Sequence, residues 1–280
     1  MSVRTCIVKR KFMKLTSRDN ERLKSARKVR DGKTDGMIFI EGVRLAEETM
    51  RSDIKISECF VSDEFEIDGR RRELHDDLIR MGISITEVSS NIFRSIADTA
   101  NTQGIVLLAK RPSGSKEEIV QNLLNSQIVV FLHEVGDPSN LGGILRAAEA
   151  AGVAGVIVSN GSVDVFSPKA VRAAMGSSFR LPIWEKADFD EVLLWSIDQG
   201  LKTTAADISA NKSYSQIEWK IPRLLIFGSE AHGLHMDTLE RIEELVQIPM
   251  ENDVESLNLA VSCGIILFEA KRQRECKPIL

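Results

Sequence analysis

Short apolar runs alternate with stretches of helical periodicity through the second half of the chain. Two of them, IVVFL at 128–132 and LLIF at 224–227, are apolar at every position, which is typical of strands buried on both faces of a parallel sheet. The alternation predicts an α/β fold with helices on both sides of the sheet. Strands are expected at 128–134, 155–159, 180–184, 202–206, 223–228 and 245–249, and the last helix at about 256–273.

The first part of the chain alternates as well and predicts a smaller α/β unit. Helices are expected at about 18–31, 43–52 and 70–81, and strands in MIFIEG, ISECFVS, GISITEV and QGIVLLAK. The segment RPSGSK at 111–116 has the Pro, Gly and Ser content of a linker. We therefore expect a small domain over 1–110, a linker and helix start over 111–125, and a larger domain over 126–280.

Composition and charge restrict the kind of protein. The chain has 280 residues, 43% of them hydrophobic and 28% charged, as expected of a soluble globular protein. Neither a membrane span nor a secretory signal is evident, so we expect a cytoplasmic location; an organellar presequence is the alternative interpretation of the basic N-terminus. The net charge is −4, yet residues 1–33 carry 12 Lys and Arg against 3 Asp and Glu. This basic arm on an acidic body suits a segment that touches phosphate, or a merely solvated helix.

No metal site is predicted. The cysteines show no CxxC spacing, and the histidines have no third ligand nearby. The residues in question are Cys6, Cys59, Cys263, Cys276, His75, His133, His232 and His235. Reduced, mostly packed thiols and scattered imidazoles are the simpler interpretation.

Polar residues and glycines follow three of the predicted strands, where ligands bind in open parallel sheets. In HEVGDPSNLGG, Asn140 stands where a helix N-cap is expected, and Arg146 faces away from the apolar stripe. Gly142 and Gly143 are unfavourable in a helix, which suggests that something approaches the backbone closely. In FGSEAHGL, Glu230 suits a general base, a hydrogen-bond acceptor or a helix N-terminal residue.

The third loop, IPMENDVESLN, places a hydroxyl and an amide at the start of an apolar helix, where they suit either a polar ligand group or a capping role. Together the three loops resemble the motifs of the SpoU/TrmH family of SPOUT RNA ribose methyltransferases. The matching positions are Asn140, Gly142 and Arg146, then Gly228, Glu230 and Gly233, then IPM at 248–250 and SLN at 256–258. Residues 15–110 are similar to the substrate-binding domain of rRNA-modifying members.

The resemblance implies methyl transfer from S-adenosylmethionine to a ribose 2′-OH of RNA, most simply 23S-type ribosomal RNA. It also implies a homodimer, and a trefoil knot in the larger domain that topology rules alone would not suggest. Catalytic or positioning roles are implied for Asn140, Arg146, Glu230, Ser256 and Asn258. Cofactor contacts are implied for Gly228, Ile248, Met250, Leu257 and Asn258. No metal or membrane is implied.

Two positions depart from the family pattern. Asn252 stands where the family has Gly, and Asn tolerates a left-handed backbone better than most residues. Ala174 replaces a Ser, so a hydroxyl contact is absent. Arg146 is sometimes assigned as the base in this family, but a guanidinium with a pKa above about 12 is better suited to clamp a phosphate or oxyanion.

Other functions fit parts of the same pattern. A tRNA methyltransferase and a non-catalytic RNA-binding protein of the same fold fit much of the pattern. A nucleotide-dependent oxidoreductase fits less well, because the glycine fingerprint and the acidic residue that follows it are missing.

Overall fold

The computed structural model describes residues 13–65, 68–252 and 254–275. The chain divides into two compact units between Arg111 and Pro112, inside the RPSGSK segment. Residues 1–12, which belong to the predicted basic arm, lie outside the described residues. Within the described residues, no helix is long and apolar enough to cross a bilayer.

The small unit is built on a mixed sheet of five strands. Its elements are β1 (Met13–Leu15), α1 (Glu21–Arg30), β2 (Met37–Glu41), α2 (Val43–Met50), β3 (Ile56–Ser62), α3 (Gly69–Arg80), β4 (Ile85–Val88), α4 (Ser90–Ile96) and β5 (Ile105–Lys110). The strand order is β1-β4-β3-β5-β2. The first three strands in this order run parallel, and β5 is antiparallel to both of its neighbours. The three-residue edge strand β1 is too short to have been predicted.

The basic helix α1 is part of the small unit's core. Asn20 caps it by accepting a hydrogen bond from the Arg22 amide. Leu23, Ala26 and Val29 recur at helical spacing and are buried in one cluster. The polar face is paired in part, since the Arg22 guanidinium lies 3.1 Å from the Glu58 carboxylate. A stretch that was expected to be a phosphate-facing or solvated arm is therefore partly a packed helix.

The large unit contains a six-stranded, all-parallel sheet. Its elements are α5 (Lys116–Leu123), β6 (Ile128–Leu132), α6 (Pro138–Ala151), β7 (Gly155–Ser159), α7 (Pro168–Ala174), β8 (Ile183–Ala187), α8 (Phe189–Asp198), β9 (Lys202–Ala206), β10 (Arg223–Phe227), α9 (Met236–Leu239), β11 (Glu244–Val246) and α10 (Leu259–Glu275). Every residue of β6, β7 and β10 is buried, as expected for strands covered on both faces. The predicted α/β fold of two sheets is confirmed.

The strand order β11-β9-β10-β6-β7-β8 determines where a ligand can bind. The chain passes outward from β6 through β7 to β8, and then returns to the other side of β6. The strands β6 and β10 are therefore neighbours at the point where the order reverses, with Leu132 opposite Phe227. A crevice opens at such a point beyond the carboxyl ends of the strands. The loops that follow β6 and β10 both start there.

Two predicted elements are displaced in the structure. The strand expected at 180–184 begins at Ile183, because residues 177–179 form a 3-10 turn and Pro182 has no amide proton to give a ladder. The helix expected from about 256 begins at Leu259, where Asn258 caps it. The Asn258 carboxamide oxygen accepts hydrogen bonds from the amides of Ala260 and Val261, at 3.0 and 3.3 Å. The capping role that was considered for this residue is confirmed.

Candidate active site

The first helical turn of α6 is organised by Asp137 and not by Asn140. Asp137 accepts a hydrogen bond of 2.7 Å from the Ser139 amide, and Pro138 fills the first helical position. Asn140 is the third residue of the helix, so the prediction that it is the N-cap is wrong. The Asp-Pro pair supplies the cap one turn earlier. The side chain of Asn140 makes tertiary contacts instead.

Those contacts join the three loops that the sequence had singled out. The side-chain nitrogen of Asn140, Nδ2, donates to Glu230 Oε1 at 3.0 Å. The side-chain oxygen of Asn140, Oδ1, accepts from Asn258 Nδ2 at 2.8 Å. Three side chains are thus linked in series by hydrogen bonds, with Asn140 in the middle and Glu230 and Asn258 at the two ends. We call this chain, Glu230–Asn140–Asn258, the amide network. Its three members come from the loop after β10, from α6 and from the start of α10.

Glu230 is held by the backbone as well. The Gly136 amide donates to its Oε2 at 2.9 Å, and the Asp137 amide donates to its Oε1 at 3.1 Å. Burial would raise the pKa of Glu230, but the hydrogen bonds from Asn140 and from the Gly136 and Asp137 amides lower it overall. Three donors therefore favour the carboxylate form. An ionised carboxylate with occupied lone pairs is suited to position its partners and poorly suited to take up a proton.

The loop that carries Glu230 closes on itself. The Ser229 and Gly233 backbones exchange two hydrogen bonds, at 2.9 and 3.1 Å. A side chain at Gly228 would place its Cβ 2.2 Å from the Gly233 carbonyl carbon and oxygen. Gly228 is thus required by the close approach of the loop's two ends, which fixes where Glu230 stands.

The two helical glycines of α6 are explained by helix packing. A Cβ at Gly142 would lie 2.5 Å from the Ala170 carbonyl oxygen and from Ala173 Cβ in α7. A Cβ at Gly143 would lie 3.2 Å from Ala260 Cβ in α10. The approach to the backbone that was predicted here is confirmed, and the approaching groups are neighbouring helices. These contacts hold the start of α6 against α7 and α10.

Arg146 lies six residues beyond Asn140, about 9 Å further along the axis of α6. Its side chain is exposed, and within the described ranges no hydrogen bond or ion pair reaches it. The structure therefore does not bring Arg146 into the amide network. Its planar guanidinium, with five N–H donors, is available to an anionic ligand.

The predicted cofactor residues of the third loop line one pocket. Ile248, Met250 and Leu257 form its walls together with Phe227, and Ser256 contributes a hydroxyl group. The pocket has a volume of about 110 Å³. Gly228 and Asn258, which were also predicted to bind the cofactor, lie next to lining residues in the sequence without lining the pocket themselves.

The sequence did not indicate that the loop after β9 belongs to this pocket. Asp207 and Ile208 line it, as does Ser262 of α10. Because β9 is the neighbour of β10 in the sheet, its carboxyl end must adjoin the same crevice. The strand order would have revealed this, and no short motif carries that information.

A wider cavity of about 780 Å³ lies on the other side of the Glu230 loop. Asn140 and Glu230 form part of its wall, and Lys169, His232 and Glu134 contribute further polar side chains. Glu134 has a left-handed backbone, with φ of 55°, and its amide is fixed by a 2.9 Å hydrogen bond to the Ser159 hydroxyl. The cavity is therefore open, carries charged and polar side chains on its wall and adjoins the amide network, as expected for a large substrate with polar groups.

Two further predictions concern backbone and metals. Asn252 has a φ of 57°, so the expected left-handed turn after the IPM segment is confirmed. Ala174, the other departure, is fully buried at the end of α7. Among the residues that the structure describes, no group of three His, Cys, Asp or Glu side chains could hold a metal ion.

Sequence profiles of known families match both units. The profile of the SpoU rRNA methylase family matches residues 127–268, and that of the MRM3-like substrate binding domain matches residues 19–107. An uncharacterized tRNA/rRNA methyltransferase of Synechocystis is 31% identical over 93% of this chain and 94% of its own length. The 23S rRNA (guanosine-2′-O-)-methyltransferase RlmB of Vibrio cholerae is 30% identical over 74% of this chain and 85% of its own length.

Solved structures give the same result. A crystal structure of an RNA 2′-O ribose methyltransferase is 30% identical, covers 94% of this chain and 99% of its own, and superposes with a TM-score of 0.79. The AdoMet-bound rRNA methyltransferase of Sinorhizobium meliloti is 28% identical over 93% of this chain and 98% of its own, with a TM-score of 0.80. The chain therefore belongs to the SpoU rRNA methylase family of S-adenosylmethionine-dependent RNA 2′-O-methyltransferases.

Proposed function

We propose that this enzyme methylates the 2′-OH of one ribose in a 23S-type ribosomal RNA. The observation that carries the proposal is the amide network, which joins all three family motifs beside a large open cavity. The Vibrio RlmB and the RlmP of Bacillus subtilis, 27% identical over 92% of this chain, are both named for 23S rRNA. A transfer RNA is the second candidate, because the Synechocystis relative is named for both RNAs.

The network's role would be to align the substrate. A ribose hydroxyl is a weak nucleophile near neutral pH, so its oxygen must be held in line with the methyl group that it attacks. Asn140 uses one N–H and one lone pair within the network, which leaves one of each for a ribose or phosphate. Glu230 and Asn258 keep the Asn140 amide from rotating. Precise placement of this amide is what they would contribute to turnover.

The pocket lined by Ile248, Met250 and Leu257 fits part of the cofactor. Its walls are mainly apolar, as a flat heterocycle requires, and its hydroxyl and carboxylate groups suit polar edges. Its volume of about 110 Å³ is below the roughly 300 Å³ of complete ligand pockets, so only one part would be enclosed. When bound, S-adenosylmethionine supplies a methyl group that its positively charged sulfur activates.

Arg146 would bind the negative charge of the RNA phosphate or of the developing oxyanion. Glu230 would not act as the base that removes the 2′-OH proton. The exposed guanidinium of Arg146 can grip a phosphate in a bidentate manner or stabilise the developing oxyanion. The lowered pKa of Glu230, which hydrogen bonds bring about against the effect of burial, leaves it a weak base. Because Glu230 already accepts hydrogen bonds from Asn140 and two backbone amides, the 2′-OH proton would pass to an RNA phosphate or to solvent water as the methyl group is transferred.

A homodimer is the further part of the proposal. Two large apolar side chains seven residues apart on α10, Val261 and Phe268, are 50% and 49% exposed in the single chain. Leu257, 37% exposed, extends the same surface toward the cofactor pocket. A second copy covering this helix would bury apolar area and bring a neighbour close to both the pocket and the amide network.

A cytoplasmic location and the trefoil knot stay predictions. One relative, from Danio rerio, is mitochondrial by name.

The test is to map where methyl groups are placed. Ribosomal and transfer RNA from cells that lack this protein would be incubated with it and with S-adenosylmethionine, and 2′-O-methylation read by resistance to alkaline cleavage. We expect one new site in the large ribosomal RNA, and none with Asn140→Ala, which should still bind the cofactor. Methylation of transfer RNA alone, or of a base, would contradict the proposal.

A further inference from the structure

The small unit has a polar pocket on the side of its sheet where β3 and β5 meet the loop before β5. Its volume is about 300 Å³, and its wall includes Arg71, Arg94, Ser90 and the loop residues Asn101 and Thr102. Phe93, almost fully buried, closes the bottom. A hollow of this size, with a mostly polar wall and an aromatic side chain at its bottom, matches a single nucleotide better than a drug-like apolar ligand.

The loop that forms one wall is fixed from behind. The buried carboxylate of Glu41 accepts hydrogen bonds from the Asp98 amide at 2.7 Å and from the Thr99 amide at 3.1 Å. Gln103 is anchored by accepting a hydrogen bond of 2.8 Å from the Val43 amide. Buried polar contacts of this kind hold the intervening stretch rigid. The side chains of Asn101 and Thr102 are therefore presented to the pocket by a preorganised loop.

Two of the three consecutive arginines at the start of α3 have different roles. Arg70 forms a two-pronged ion pair with Glu47 and is thereby committed to the fold. Arg71 lies over the Phe65 ring, with its guanidinium carbon 5.4 Å from the ring centre, and lines the pocket. Stacking on a ring orients the guanidinium and leaves its N–H donors open to a ligand.

Arg94 supplies a second cation from a different helix. It is exposed, and among the residues that the structure describes nothing forms a hydrogen bond or ion pair with it. Two arginines, one from α3 and one from α4, thus line the same hollow, and within the described residues no carboxylate forms an ion pair with either of them. Such an arrangement suits the phosphates on either side of one nucleotide.

The carboxylate of Glu64 also lines the pocket and would repel phosphate. It has a complementary use, because a carboxylate accepts hydrogen bonds from the amino groups of bases. A second hollow, of about 420 Å³ and lined by Val43 and Asp68, shares Arg71 and Gln103 with the first. The two hollows therefore adjoin each other at these two side chains.

We propose that this pocket binds one unstacked nucleotide of single-stranded RNA, with the base inside and its flanking phosphates on Arg71 and Arg94. The inference rests on RNA being the substrate and adds where the small unit holds it. Recognition of splayed single-stranded bases is the usual route to specific RNA binding. The nucleotide bound in the small unit would then help to select which ribose is methylated, although it is not itself the reacting nucleotide.

The experiment compares full-length variants by fluorescence titration with a labelled single strand of about 12 RNA nucleotides and with the same strand in a duplex. We expect the double variant Arg71→Ala, Arg94→Ala to bind the single strand roughly 10-fold more weakly or worse at low salt. Its log–log salt slope should fall by about 1.4, from two lost phosphate contacts at about 0.7 each. Duplex binding should change much less, and Glu64→Gln should alter the preferred base.

The matched control is Arg80→Ala, an exposed arginine at the far end of α3 that pairs with Asp77. It should bind RNA as the unmodified protein does, and all variants should bind S-adenosylmethionine equally. Unchanged affinity and salt slope in the double variant would overturn the proposal, as would equal losses for single strand and duplex. Failure of the pocket is distinguishable from failure of the proposed function, because mapping of methylated sites with the unmodified protein tests the latter alone.

Discussion

At the scale of single residues, Asn140 shows how one amide can join three loops. Its nitrogen donates to Glu230 and its oxygen accepts from Asn258, so both ends of the side chain have fixed orientations. An aspartate at this position would lose the donor, and a serine would reach neither partner fully. The requirement for an asparagine thus follows from the need to donate and accept at once.

The change Arg146→Lys keeps the charge and removes the planar fork. We expect turnover to fall by roughly 10²-fold or more, because a point charge cannot reproduce bidentate contact with a phosphate. Cofactor affinity, measured by calorimetry, should be nearly unchanged. The control is Arg241→Lys, which alters an exposed arginine paired with Asp190 on another surface. Full activity of Arg146→Lys would exclude the clamp.

The change Glu230→Gln separates a positioning role from that of a general base. Because the carboxylate's pKa is lowered by its hydrogen bonds, it stays ionised throughout the neutral range, and no activity limb near neutral pH should arise from it. We expect turnover to fall roughly 10-fold, less than the 10²–10⁴-fold expected for loss of a general base. The pH profiles of kcat/KM for both proteins decide this: a neutral limb that vanishes in Glu230→Gln would identify a base.

At the scale of elements, α6 packs closely against α7 because a glycine of α6 lets the two backbones approach. Adding one methyl group in Gly142→Ala would force α7 away, since its Cβ would stand 2.5 Å from the Ala170 oxygen. We expect a loss of about 1–3 kcal/mol in the free energy of unfolding, measured by urea titration. The matched change Ala150→Ser adds one atom at an exposed position of the same helix and should cost only about 0.5 kcal/mol. Equal stabilities would show that α6 and α7 adjust easily.

The edge strand β11 is attached by a cluster of charges around Glu244. Arg223, only 2% exposed, lies 2.7 Å from this carboxylate, and Lys202 and Lys212 lie at 3.2 and 3.0 Å. Burial would raise the pKa of Glu244, but these three cations bring it to about 2. A lowered pKa gives stability that is present above the ordinary value near 4.5 and is lost as pH falls toward 2.

We therefore expect Glu244→Gln to cost about 3–5 kcal/mol at neutral pH, because it leaves Arg223 buried without its counter-charge. The loss of stability between about pH 5 and pH 2 should be correspondingly smaller in the variant. Urea titrations at several pH values measure both effects. Parallel pH profiles for the two proteins would show that Glu244 does not contribute to acid unfolding.

At the scale of the whole molecule, the proposed dimer can be tested through α10. We expect Phe268→Glu to shift the mass measured by light scattering toward that of one chain, since a charge would be buried in the interface. Activity should fall with it while the isolated chain stays folded. Leu194→Glu, at an apolar position that is 65% exposed on α8, is the matched control. An unchanged mass in Phe268→Glu would place any interface elsewhere.

The sequence predicted the α/β class and the six strands of the large sheet because buried parallel strands leave uninterrupted apolar runs. It missed β1, whose three residues carry no pattern, and it misplaced the amphipathic edge strand β8. It identified Asn140, Glu230 and Asn258 through their motifs. It could not predict that they contact one another, or that Asp207 joins the pocket, because these facts depend on the order of strands in space.

The amide network also has a consequence for folding. Ninety residues separate Asn140 from Glu230, and 118 separate it from Asn258. Contacts between such distant positions close large loops, whose entropy opposes early formation. A chain in which the sheet has formed but α10 has not yet docked lacks the network. Methylation competence is thus acquired only with the complete native topology, and incompletely folded molecules would leave the RNA they encounter unmodified.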